Sequence, residues 1–426
     1  MSKYLSFYGG DRAIAIIKEY GLTQDIVKVV AGAAGGPKWL ILGHIDRFLF
    51  GEWFTKRSAA TAGSTSANPS IASNPLFLAG SSAGAWRFAA ASQSDPTKAL
   101  ERLTQSYIHQ WYSIKPDLQE IDVECWKVLN GFIDDNSVNE ILNHPYCRLN
   151  FFSVRSKLAF SNKKDGFKKE SILNSMNENP LIISSYIMAA ATANIFNRRN
   201  ISHFFTRTLF HHPSDKPPFH DMDNICGKRH FPMLKVALTP ASFKKALISS
   251  GSIPIVMPGV VDIPDAPPGV YRDGGTIDYH LDIPFLGYPP NSSSFRTLSH
   301  CQNLDKYKKD KFYDEDKIVL FPHYTDRIVP GWLDKNIPWR KPDPANFRNV
   351  LLITPTRNFT DMLPGGKIPE RQDFTLFKGK NRERIQRWKI ALKYSEILGD
   401  ELCRLFYSGK VQDIIQPVEN CVSFSK

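Results

Sequence analysis

Residues 75–88 read Pro75-Leu76-Phe77-Leu78-Ala79-Gly80-Ser81-Ser82-Ala83-Gly84-Ala85-Trp86-Arg87-Phe88. A short apolar run, a Gly-x-Ser-x-Gly turn and an Ala-rich segment follow one another, which predicts strand, tight turn and helix. That order holds the central serine, Ser82, on a sharp corner above the end of a sheet. Gly80 and Gly84 suit the corner because neighbouring backbones must approach it closely. The small residues Ala83, Ala85, Ala89 and Ala90 let the helix lie near its sheet. Five residues alone are a common coincidence. The weight comes from this context and from two further motifs, Gly35-Gly36-Pro37-Lys38 upstream and Asp273-Gly274-Gly275 downstream.

Upstream, Ile26-Val27-Lys28-Val29-Val30 predicts a buried strand running into Ala31-Gly32-Ala33-Ala34-Gly35-Gly36. Pro37 suits the first position of a helix reaching about Phe50. Backbone N–H groups at such a helix start face an anion. A nucleotide-phosphate loop is the competing use, but neither a Gly-Lys-Ser/Thr ending nor the dinucleotide glycine spacing is present. Downstream, Val270-Tyr271-Arg272 leads into Asp273, a carboxylate at a strand end beside Gly274 and Gly275; Asp-Gly by itself reads first as a hairpin pair. A serine hydroxyl needs a base to act as nucleophile, and a developing oxyanion needs fixed donors. Ser82, Asp273, Gly35 and Gly36 supply these parts for acyl transfer without a histidine.

The sequence resembles the patatin-like phospholipase family over roughly Ile26 to Asp282. The matches are Gly35-Gly36-x-Lys38 for the family's glycine-rich oxyanion loop, Gly80-Ser81-Ser82-Ala83-Gly84 for its elbow and Asp273-Gly274-Gly275 for its aspartate motif. Ser249-Ser250-Gly251-Ser252-Ile253-Pro254, with Met257-Pro258, looks like its small-residue and proline block. The resemblance implies a Ser82–Asp273 dyad, an oxyanion hole at Gly35 and Gly36, and Lys38, Gly80, Gly84, Gly274 and Gly275 in support. It implies no metal or other cofactor, lipid acyl esters as substrates (phospholipase A-type or lysophospholipase-like), and a three-layer α/β/α domain with a mostly parallel sheet. Ala34, Pro37 and Trp39 depart from the family's pattern, and bulky Trp39 bears on the shape of the hole. The expected division is an acyl hydrolase domain at 22–285 and a C-terminal α/β extension at 286–426, packed on or continuing it. Two alternatives stand beside this reading. One is an α/β-hydrolase triad using His323, which follows a predicted strand. The other is a catalytically silent membrane-surface protein of the same fold.

The rest of the 426 residues, 42% of them hydrophobic, sets the surroundings. A first helix is expected over Asp11–Tyr20, with Asp11 as N-cap and Gly21 after its end. Residues 55–74 read as a Ser/Thr/Ala-rich loop, Asp95–His144 as mostly helical, and Arg148–Val154 as a strand. Met233–Leu238 predicts a strand and Ala241–Ile248 a short helix; Lys317–Phe321 and Val350–Ile353 predict two more strands. An amphipathic helix is expected over Asn381–Tyr407, with Ile385, Trp388, Leu392 and Leu402 facing the core. Leu181–Phe196 is nearly uncharged and too short for a transmembrane span. It reads as a core helix, with an interfacial membrane contact as the alternative.

The formal net charge of +12 fits nucleic acid, an anionic membrane surface or an acidic substrate without choosing among them; no nucleic-acid motif accompanies it. Basic clusters at Lys163/Lys164/Lys168/Lys169, Lys306/Lys308/Lys309/Lys311 and Lys378/Lys380/Arg382/Arg384/Arg387 read as solvated surface. His211, His212, His220, Asp221, Asp223, Cys226 and His230 crowd one segment without a metal-site spacing, so an ordinary polar loop is expected. Six scattered cysteines without a Cys-x-x-Cys pair favour reduced thiols and a cytoplasmic-type protein, and Met1–Phe7 lacks the apolar run of a signal peptide. The expected partner is a lipid substrate met peripherally at the membrane.

Overall fold

The computed structural model describes residues 2–56, 74–157, 179–220, 231–287, 314 and 316–424. The strands are β1 (Leu5–Gly9), β2 (Val27–Gly32), β3 (Leu76–Ser81), β4 (Cys147–Ser156), β5 (Phe205–His211), β6 (Met233–Ala237), β7 (Val260–Val261), β8 (Val270–Asp273), β9 (Ile318–Pro322), β10 (Val350–Pro355) and β11 (Gln416–Pro417). They form one sheet in the order β11-β1-β10-β9-β2-β3-β4-β5-β6, with β8 pairing β4 and β7. The central run β10-β9-β2-β3-β4 is parallel throughout. Its strands are buried along almost their whole length, as parallel strands covered on both faces must be. The protein is therefore mixed α/β with a large, mostly parallel central sheet.

Strand order places residues from beyond 286 inside the sheet. β9 and β10 lie between β1 and β2, so both ends of the chain complete the layer on which β3 depends. The principal helices are α1 (Asp11–Tyr20), α2 (Gly43–Phe48), α3 (Ala83–Ala91), α4 (Pro96–Ile108), α5 (Leu118–Asn130), α6 (Asp135–Leu142), α7 (Pro180–Phe196), α8 (Pro240–Gly251) and α9 (Asn381–Tyr407). Helix α9 has the span its periodicity predicts. It packs on α2, where Phe48 meets Phe406 and Tyr407 edge-on. A Cβ on Gly399 would lie 2.9 Å from the His44 side chain, so the two helices cross too closely there for any larger residue.

Three expectations need correction. Helix α1 begins at Asp11 itself, Gly10 holds the N-cap position, and the Asp11 carboxylate pairs instead with Arg348 at 2.8 Å. Helix α7 is not a core helix. Only the stripe Ile183, Ile187, Ala190 and Asn194 is buried, whereas Leu181 and Phe196 are 77% and 82% exposed. An apolar sequence on every side hides which stripe packs, and here one stripe suffices to cover Val154, Ile201 and Phe205. Arg384 is not solvated either: it is buried, donates to the Gln110 carbonyl, and lies over the Phe374 and Trp388 rings. The loop at 57–73, the basic clusters at 163–169 and 306–311, and residues 221–230 lie outside the described residues.

One buried ion pair braces the helix behind the elbow. Arg87 of α3 donates twice to Asp46 of α2, both at 2.6 Å, with both side chains almost fully buried. No helix among the described residues is long and apolar enough to cross a membrane.

Candidate active site

The register of the sheet brings the motifs together. Gly32 of β2 lies beside Gly80 of β3, so the 33–38 loop leaves the sheet next to the elbow. Strand β3 pairs with β4 as far as Ser81 opposite Phe152. Beyond that point β8 takes over, antiparallel, with Asp273 opposite Ser153. The elbow turns β3 away, and the edge it vacates on β4 delivers the aspartate. The site thus stands at the carboxyl ends of the parallel strands, where open α/β sheets leave a crevice.

Ser82 occupies the corner with φ 52° and ψ −121°, a conformation that side chains rarely adopt. The surroundings enforce it. A Cβ at position 84 would lie 2.0 Å from the Gly32 carbonyl oxygen, so only glycine lets α3 start this close to β2. The Ser82 N–H donates to Ser250 Oγ at 3.0 Å, and the Ser250 hydroxyl donates to the Phe152 carbonyl at 2.7 Å. Such strain costs on the order of 1–3 kcal/mol. Ser82→Gly should therefore unfold at higher denaturant than Ser82→Ala, by about 1–2 kcal/mol, because glycine relieves the backbone while alanine retains the cost. Equal midpoints with equal denaturant slopes would contradict a strained elbow.

The Ser82 hydroxyl donates to Asp273 Oδ2 at 2.7 Å, and the Gly275 N–H donates to Asp273 Oδ1 at 2.6 Å. The Asp273 N–H is held by the Ser252 carbonyl at 2.9 Å. Burial raises the Asp273 carboxyl to about 6, against the opposing pull of the Ser82 and Gly275 hydrogen bonds and the Arg371 charge. A carboxylate poised there is ionised at neutral pH yet basic enough to take a proton. Ser81, the neighbouring hydroxyl, is buried and meets no partner among the described residues.

The glycine loop bounds the same space. Ala34, Gly35, Gly36 and Lys38 line a cavity with Ser82, Asp273 and Gly275. Gly35 (φ 156°) caps and Gly36 (φ 55°) opens a tight helical turn over residues 36–42 that runs on into α2. The Tyr324 ring explains the need at position 35, since a Cβ there would lie 2.6 Å from it. Tyr324 also donates to the Ala34 carbonyl at 2.5 Å, and the Ala34 N–H donates to the Tyr279 carbonyl at 2.9 Å. His280 Nε2 completes the clamp at 2.7 Å from Tyr324 Oη, while its Nδ1 accepts from the Val329 N–H. The Lys38 ammonium lies 5.1 Å from the centre of the Tyr324 ring. Trp39 does not enter the cavity; it is buried with its ring edge-on to Tyr107. Gly80 and Gly274 fit where a Cβ would press on the backbones of Ala85 and Phe152.

His323 is placed elsewhere. Its Nδ1 lies 2.6 Å from the Thr325 carbonyl oxygen, its ring packs against His280 and Tyr324, and burial lowers it to about 3. The hydrogen-bond partners of the Ser82 hydroxyl and N–H are Asp273 and Ser250, and neither is a histidine. Among the described residues no three His, Cys, Asp or Glu groups gather as a metal site. His212 bonds the Ile141 carbonyl at 3.3 Å, and His211 meets the His220 ring edge-on. Cys125, Cys147, Cys403 and Cys421 form no disulfide among the described residues.

A second, apolar cavity of about 520 Å³ opens from Ser82. Trp86, Tyr107, Ile121, Val128, Met257 and Phe374 are among its walls. Three contributors escape motif reading. Ser250 lies in the small-residue block with nothing to mark its hydroxyl as the anchor of the Ser82 N–H. Tyr324 reaches the glycine loop from 290 residues away and His280 holds the Tyr324 hydroxyl, which no local pattern reveals. Comparison with protein-family models, curated proteins and solved structures finds no match for this chain.

Proposed function

We propose that the protein is a serine acyl hydrolase of the patatin-like type, with the three-layer α/β/α arrangement of that family, cleaving carboxylic esters of lipids. The observation that carries the reading is the 2.7 Å hydrogen bond from the Ser82 hydroxyl to the buried Asp273 carboxylate at a strained elbow. In the proposed cycle Asp273 takes the proton as Ser82 Oγ attacks the ester carbonyl. The Gly35 and Gly36 N–H groups hold the oxyanion. Collapse breaks the ester C–O bond, and Asp273 returns the proton to the departing alcohol. Water, deprotonated by Asp273, then attacks the acyl-enzyme; the acid leaves and Ser82 recovers its proton. The apolar cavity beside Ser82 supports a long acyl chain as the occupant during both halves.

The experiment is a substrate panel. Acyl esters of glycerol and of phospholipids, with chains of graded length, should release fatty acid, with kcat/KM rising as the chain fills the apolar cavity. Hydrolysis confined to short p-nitrophenyl esters would contradict the lipid assignment.

The ionisation of Asp273 sets the pH dependence. Only the carboxylate form accepts the serine proton, so kcat/KM should rise with pH and reach half its plateau near the group's value of about 6. Arg371 lowers that value, so Arg371→Gln should move the rising limb to higher pH. A limb shifted to lower pH in Arg371→Gln, or a wild-type rate that shows no rising limb near pH 6, would contradict Asp273 as the base.

The substrate is met at a membrane surface, in this reading, by peripheral contact. The net charge of +12 supports it, as do the exposed Leu181, Met188, Ile195 and Phe196 on α7 and the exposed Trp339. The Arg340 side chain donates to the Asn194 carbonyl, which ties the segment carrying Trp339 to α7. Sedimentation with anionic liposomes should exceed that with neutral ones and fall as salt approaches 1 M, where the Debye length is about 3 Å. Equal sedimentation with both would contradict the electrostatic part.

A further inference from the structure

Two cavities meet at Ser82, and they differ in kind. Ser82, Gly36, Ile253 and Arg371 line both. The larger is the apolar space already described. The smaller, about 180 Å³, lies on the side of Asp273 and the glycine loop, and its wall carries Lys38, Lys335 and Arg371. Lys335 and Arg371 come from beyond the stretch that resembles a known family. Both are solvent-exposed, and Lys38 is half-buried at the inner end.

None of these three cations forms an ion pair among the described residues. Glu370, a carboxylate on the same wall, lies 3.9 Å from Lys367. Asp273 is committed to Ser82 and Gly275. Burial chiefly, and after it the Lys335 ammonium, push Lys38 below its ordinary value, so the crowding of like charges on this wall adds to the cost of burial. Glu370 opposes this without removing it. An anion entering here would relieve that crowding. The space is also too small and too polar to take a second long acyl chain.

Resting on the acyl-hydrolase reading, we propose that this smaller cavity is the leaving-group subsite and selects esters whose alcohol carries a phosphate monoester. Lys335 and Arg371 are its specificity-determining residues, with Lys38 at its inner end. The single acyl chain occupies the apolar cavity, the ester carbonyl lies at Ser82, and the phosphate-bearing alcohol leaves past Lys335. An exposed rim of cations discriminates by charge, so a neutral alcohol of the same shape is the disfavoured competitor.

The test compares 1-acylglycerol 3-phosphate with 1-acylglycerol of the same chain, in mixed micelles of neutral detergent. The wild type should favour the phosphate ester in kcat/KM by about tenfold or more, the size expected of one charge-assisted contact. Lys335→Gln should cut that ratio by about three- to tenfold, and Lys335→Arg should restore most of it. The substitution spares the fold, because the Lys335 hydrogen bonds to Trp332 and Arg327 are made by its backbone. Hydrolysis of both esters at similar rates, or a ratio unmoved by Lys335→Gln, overturns the subsite and leaves the hydrolase reading standing.

If neither ester is turned over, the hydrolase reading has failed, and titration calorimetry on Ser82→Ala protein reads the subsite alone. Glycerol 3-phosphate binding that weakens when Lys335→Gln is added supports the subsite. Absence of binding overturns it. So does inorganic phosphate binding as tightly as glycerol 3-phosphate, which would mark a free-anion site.

Discussion

On the proposed reading, Ser82→Ala should lower ester hydrolysis by about 10³- to 10⁶-fold, the range expected when a covalent nucleophile is removed. Ser81→Ala should stay within a few-fold of wild type. The two hydroxyls are adjacent in sequence, but only Ser82 lies at the corner, in both cavities and bonded to Asp273. Ser81 is buried in the last position of β3 and its hydroxyl meets no partner among the described residues. Kinetics on a soluble ester and a long-chain lipid, measured side by side, checks both halves. Comparable losses from the two substitutions would show that the elbow is disturbed rather than disarmed.

Asp273→Asn should lower the same activity by about 10²- to 10⁴-fold, the usual worth of a positioned general base. The asparagine keeps the shape: its carbonyl can accept from the Gly275 N–H and its amide can donate to Ser82 Oγ. Only the ability to take a proton disappears. Stability should respond differently from activity. The folded-state value of Asp273 is raised, from 3.8 to about 6, so its contribution to stability is fully present below about pH 3.8 and is lost as pH rises through about 6. Asn removes that cost. At pH 8 the variant should therefore be nearly inactive and at least as stable to urea as the wild type. A variant that is inactive because it is less stable would contradict this separation, as would His323→Gln losing as much activity as Asp273→Asn.

Local chemistry made much of this legible. The run Leu76–Phe88 reads as strand, corner and helix because small residues and glycines have few other uses in that order, and β3, Ser82 and α3 follow it. Helix α9 is legible from Asn381 to Tyr407 through its apolar period. Strand pairing is not legible in the same way. Nothing in Ile318–Pro322 or Val350–Pro355 says that they insert between β1 and β2, since that choice depends on partners some 290 to 350 residues away. Helix α7 was ambiguous for a physical reason: an apolar surface all round carries no moment to name the buried stripe. Arg384 shows the opposite error. In a string of Lys and Arg it reads as solvated, yet its guanidinium lies over two aromatic rings, where a planar cation is well placed.

The site was legible as residue types and incomplete as a mechanism. Ser82, Asp273 and the Gly35-Gly36 pair could be named from motifs. The hydroxyl of Ser250, the Tyr324–His280 clamp on Ala34 and the cationic wall at Lys335 and Arg371 exist only once the sheet is assembled. Each of them joins segments far apart in the chain, and no periodic pattern marks the polar atoms involved.

The most direct test of the central claim is the location of the covalent bond. Wild-type protein treated with a fluorophosphonate and digested for tandem mass spectrometry should carry one adduct, on Ser82, formed far more slowly in Asp273→Asn. An adduct on any other residue, or none on a wild-type protein that hydrolyses lipid esters, would contradict a Ser82 nucleophile activated by Asp273.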